Sequence, residues 1–80
     1  MILAEAITIV EKTVSQISAI GIEKIEDVNT LGELGLDSLD IVELVMLIED
    51  ETEVEIDLDE ITPSSSIKQV AEIVLSEVND

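Results

Sequence analysis

The sequence predicts a small all-α protein built from three longer helices and one short helix. Three observations carry that reading. Apolar residues recur at spacings of three and four in three separate stretches. Residues that start or stop helices bound those stretches. The one strictly alternating stretch, Glu53 to Asp59, has no second strand to pair with.

The first helix is expected from Leu3 to Ile20. Leu3, Ile7, Val10, Val14 and Ile17 fall on one side of it, while Glu5, Glu11, Lys12, Ser15 and Gln16 mostly occupy others. Gly21 follows in the position of a left-handed cap. Residues 22–36 then form a long connection, too apolar for a free linker, in which Ile25, Val28, Leu31 and Leu34 are expected to pin the chain to the core.

The second helix is expected over about Ser38 to Asp50. Asp37 is a good N-cap, and Asp40 sits three residues later, where a capping-box acid belongs. Ile41, Leu44, Val45 and Ile48 make a core stripe. Leu39, Val42 and Met46 lie with Glu43 on another side, so two apolar faces are implied. They are either further core or a strip that faces partners.

Eight acids crowd positions 49–60. Like charges so dense are normally a solvated face. The segment reads as extended, with Val54 and Ile56 dipping into the core, and leads to a short helical turn near Leu58 to Thr62 that buries Leu58 or Ile61. Pro63-Ser64-Ser65-Ser66 is a break, and Ser66 caps a last helix from Ile67 to about Val78. Its core stripe is Ile67, Val70, Ala71, Val74 and Val78.

Composition narrows the function. A chain of 80 residues is expected to form one domain that buries roughly 60–65% of its unfolded surface. With no aromatic residue, its core must be assembled from aliphatic side chains. Twenty acids against three lysines leave a net charge of −17, which argues against nucleic acid and anionic membranes and in favour of basic partners. Met1-Ile2-Leu3-Ala4 lacks a basic region and runs into Glu5, so export is not indicated, and no apolar run is long enough to span a bilayer. Without cysteine there is no disulfide framework, and a reducing cytoplasm is acceptable.

The chain also has no histidine, tyrosine or arginine. Usual general bases, soft metal ligands and oxyanion clamps are therefore missing, and intrinsic catalysis is not expected. The acids at 49–60 lack the ligand order and central glycine of a calcium loop, so no specific metal site is expected. Ser38 is the chemically suggestive residue. It lies in the first turn of the second helix, where free N–H groups and the positive pole of the macrodipole would favour a phosphate esterified to its hydroxyl.

Glu33-Leu34-Gly35-Leu36-Asp37-Ser38-Leu39-Asp40, followed by Val42-Glu43-Leu44-Val45-Met46, closely resembles the acyl carrier proteins of dissociated fatty-acid and polyketide synthesis. The resemblance is strongest from Leu31 to Ile56 and extends over essentially the whole chain in length, acidity, helix order and the position of the serine. It implies one stand-alone acyl-carrier domain over residues 1–80, a four-helix bundle with a long loop between helices 1 and 2. It further implies that Ser38 bears 4′-phosphopantetheine, whose thiol holds acyl groups as thioesters. A separate phosphopantetheinyl transferase would load it from coenzyme A and Mg²⁺, with Asp37 orienting that enzyme's basic residues or metal.

Under the same resemblance Asp40, Glu43 and Glu49 would steer basic docking surfaces of acyl-transferring and acyl-modifying enzymes, while Leu39, Val42 and Met46 supply apolar contact. A cytoplasmic monomer is expected. Pro63 departs from the common fatty-acid pattern by shortening the third helix, which leaves the cargo pocket and its specificity open. Two other readings stand beside this one: an acidic helical module that binds a basic groove without a prosthetic group, and a peptidyl or D-alanyl carrier.

Overall fold

A computed structural model describes residues 1–79. Helices α1 (Leu3–Ser18), α2 (Ser38–Thr52) and α3 (Ile67–Val78) enclose an aliphatic core, with single 3-10 turns at Ile22–Lys24 and Leu58–Glu60 in the two long connections. The expected short fourth helix is that second 3-10 turn. Helix α1 packs most extensively on α3 and to a lesser extent on α2. Leu31, Leu44, Ile48, Ile67, Val10, Val14, Val70 and Val74 have no appreciable exposure, so the missing aromatics are replaced by interlocked branched chains.

Helix α1 ends two residues before its expected end. The left-handed residue is Ala19, with φ of 62°, whereas Gly21 has φ of −58° and needs no glycine. Hydroxyls explain the early stop. Ser15 Oγ donates to the Ile20 carbonyl and Ser18 Oγ to that of Val14, so side chains hold the turn that a left-handed glycine was expected to make. Ile20 is thereby folded back against the core.

Residues 22–36 are anchored as expected by Ile25, Leu31 and Leu34, but Val28 is 70% exposed and does not contribute. Leu36, absent from the expected set, is buried instead. Backbone hydrogen bonds do the rest. Leu31 and Gly32 N–H groups donate to the carbonyls of Ser65 and Pro63, while Ile67 and Lys68 donate to those of Asn29 and Asp27. Two of the orphan donors at the start of α3 are thus satisfied by the first connection, which fixes that connection across the bundle. Ser66 caps α3 as predicted, accepting from Gln69 N–H.

Helix α2 begins as predicted and runs two residues past its expected end, stopping at Glu53 with φ of 59°. The next residues are extended; Ile56 is buried and Val54 half-buried. Of the two alternatives, Ile61 enters the core and Leu58 stays 40% exposed. Glu11 on α1 lies near enough to Asp27 of the first connection to feel its charge. Its carboxyl is pushed above its ordinary value, first by burial and second by the Asp27 charge.

Candidate functional site: the N-terminus of helix α2

The turn that delivers Ser38 is a miniature helix end. Thr30 Oγ1 accepts from Glu33 N–H while a Glu33 carboxylate oxygen accepts from Thr30 N–H, a reciprocal capping box. At the other side Leu36 N–H donates to the Leu31 carbonyl and Gly35 N–H to that of Gly32. These are the two bonds of a Schellman motif, with Gly35 in its left-handed position at φ of 87° and Leu31 and Leu36 both buried beneath it. With Leu36 sunk in the core, Asp37 and Ser38 must emerge at the surface.

Asp37 and Asp40 then form a second reciprocal box. Asp37 Oδ1 accepts from Asp40 N–H at 2.9 Å, and Asp40 Oδ2 accepts from Asp37 N–H at 3.1 Å. Ser38 is the first residue of α2 and is exposed. Its hydroxyl bonds to no other described residue, nor do the N–H groups of Ser38 and Leu39. A phosphodiester on Ser38 fits this arrangement: the oxygen is accessible, and two unclaimed donors lie at the positive pole of a helix of 15 residues. Once bound, such a group supplies a thiol at the end of a long arm, a function that no residue of this cysteine-free chain can provide.

Beside Ser38 lies a groove of about 330 Å³. Ile41 and Val42 of α2 form one wall, and Leu58, Asp59, Ile61, Thr62 and Pro63 form the other. The second wall was not foreseen, because Leu58 and Ile61 read as alternative core residues. Pro63 carries a double role: its ring lines the groove and its carbonyl ties the first connection down. A larger depression of about 550 Å³ over α3 and residues 60–65 is walled by carboxylates and hydroxyls and includes none of the Asp37–Leu39 residues.

The remaining residues singled out from sequence divide into two groups. Leu39, Val42 and Met46 are exposed at 80%, 39% and 61%, with Glu43 exposed among them, on the side of α2 opposite Ile41, Leu44 and Ile48. They form one continuous strip. Asp40 and Glu49 are half-buried and their carboxylates are engaged: Asp40 in the cap, Glu49 with the N–H of Ile56 at 2.8 Å. Among the described residues, no group of histidine, cysteine and carboxylate side chains is arranged to hold a metal ion, and no helix is long and apolar enough to cross a membrane.

A helical domain that exposes an unengaged hydroxyl at a capped helix start has the attachment point that a carrier needs. The comparison with known families agrees. Residues 8–74 match the family described as phosphopantetheine attachment site, and the chain belongs to that family. Its prosthetic group is therefore covalent 4′-phosphopantetheine, and it works with partner enzymes as phosphopantetheine carriers do. No curated protein and no solved structure matches the chain significantly.

Proposed function

We propose that this chain is an acyl carrier protein whose attachment residue is Ser38. The observation that carries the reading is the unengaged Ser38 hydroxyl at the first position of α2, within the matched span and beside an apolar groove. A separate transferase would direct the Ser38 oxygen onto the pyrophosphate of coenzyme A. An oxygen–phosphorus bond forms at Ser38, the pyrophosphate bridge breaks, adenosine 3′,5′-bisphosphate leaves, and the hydroxyl proton passes to the transferase or water.

In this account Asp37 has two tasks. One carboxylate oxygen caps α2, and the carboxylate as a whole offers negative charge to the transferase's cations or Mg²⁺. Leu39, Val42 and Met46 supply apolar contact to acyl-transferring and acyl-modifying enzymes, Met46 through an adaptable thioether. Asp40, Glu43 and Glu49 contribute to the field that steers basic docking surfaces. The carrier works as a cytoplasmic monomer formed by residues 1–80 in fatty-acid, polyketide or a related dedicated acyl pathway.

The test is loading with a fluorescent coenzyme A analogue by a broad-specificity transferase. Wild type should label and Ser38→Ala should not, with both giving the same helical circular dichroism. Labelling of Ser38→Ala would move the attachment elsewhere. No labelling of folded wild type would favour the acidic binding module.

A further inference from the structure

The segment between α2 and the Leu58–Glu60 turn is anchored in the core by Ile56 but makes few backbone hydrogen bonds. Among the described residues, the N–H groups of residues 54–58 make one hydrogen bond in all, from Ile56 to the Glu49 carboxylate seven positions earlier. That bond is partly buried and charge-assisted, so it is stronger than a neutral one. Beyond it, Val54 and Ile56 attach the segment by apolar contact. The same segment leads into Leu58, Asp59 and Ile61, which wall the groove beside Ser38.

Glu49 also stands in an acidic helix end, with Lys12 of α1 beside Asp50 and Glu51 as a neighbouring cation. The last turns of α2 and the residue that caps them carry Glu49, Asp50, Glu51 and Glu53 and no basic residue, and the negative pole of the helix dipole adds to their field. A carboxylate in that field has two competing partners: the Ile56 N–H inside the protein, and a lysine or arginine brought by another protein.

We propose that Glu49 is a latch, a positioning residue that holds the 54–61 wall against α2, and that a cationic side chain of a docking protein releases this wall by drawing the carboxylate away. The release step rests on the carrier reading, because it gives docking a way to loosen the groove next to the attachment residue. The latch itself concerns the unmodified chain and stands or falls independently of loading.

Amide hydrogen exchange followed by NMR on the unmodified full chain tests both parts. In Glu49→Ala the Ile56 amide should exchange roughly 10- to 100-fold faster, with faster exchange through 54–61, while the core amides of Val10 and Val74 shift far less. Glu49→Gln, which keeps an acceptor oxygen, should restore most of the protection. Hexalysine at low salt should quicken Ile56 exchange in wild type and leave Glu49→Gln nearly unaffected. An Ile56 amide no faster in Glu49→Ala, or a loss spread evenly over the core, overturns the latch. Hexalysine that fails to quicken Ile56 in wild type, or quickens Glu49→Gln equally, overturns the release.

Discussion

Replacing Gly35 and Gly21 by alanine, one at a time, separates two accounts of how the chain reaches Ser38. At Gly35, φ is 87° and nothing lies within 4 Å of an added Cβ, so the effect is purely one of backbone. Holding an L-residue in the left-handed region costs roughly 1–2 kcal/mol. Restricting the unfolded chain returns about 0.4–1 kcal/mol. The balance is a destabilisation of about 1 kcal/mol, or roughly 4–8 °C in the melting temperature of a domain this small. At Gly21, φ is −58° and ψ is 137°, which any residue adopts. An added Cβ there meets only the movable end of the Glu23 side chain. Gly21→Ala should therefore be neutral or stabilise by up to about 1 kcal/mol. Urea unfolding at constant slope measures both. If Gly21→Ala were the damaging change and Gly35→Ala harmless, the Schellman turn at 31–36 would be wrong and a left-handed cap at Gly21 right.

Four other substitutions probe the site and its surroundings. Asp37→Ala should destabilise the chain by about 1 kcal/mol through loss of the cap, whereas Ser38→Ala, at an exposed and unengaged hydroxyl, should stay within about 0.5 kcal/mol by the same urea titration. Glu11→Gln should be more stable than wild type at neutral pH, because the raised carboxyl makes the folded state bind a proton more tightly than the unfolded chain does. Wild-type stability then falls as pH rises from the ordinary value to the raised one, so the variant's advantage should shrink in thermal melts as pH is lowered from neutral through the raised value towards the ordinary one; a constant advantage would contradict this origin. Glu43→Lys should leave the melting temperature nearly unchanged yet slow transfer to basic partner enzymes at low salt, the difference fading as salt screens the field. Equal transfer rates at low salt would remove Glu43 from steering.

Legibility in the sequence followed the range of the interactions. Asp37 and Ser66 disclosed their caps because a capping box is complete within four residues, and the stripe Ile41, Leu44, Val45, Ile48 disclosed its face because helical period alone sets it. The same rule would have found the Thr30-x-x-Glu33 box, a signal present in residues 22–36 but passed over because only the apolar residues of that connection were read. Gly21 misled because a glycine after a periodic stretch suggests a left-handed cap, and the hydroxyls of Ser15 and Ser18 made an alternative that residue order does not announce. Long-range pairing was invisible. Nothing in the sequence links Asn29 to Ile67, Gly32 to Pro63 or Glu49 to Ile56, and those contacts position the turn before Ser38 and the far wall of the groove.

The most direct test of the account is intact-protein mass after incubation with coenzyme A, Mg²⁺ and a broad-specificity phosphopantetheinyl transferase, followed by fragmentation to locate the added group. The account predicts a gain of one phosphopantetheine, carried on the fragment containing Ser38 and absent from Ser38→Ala. An unmodified folded chain, or a group found on another serine, would contradict it.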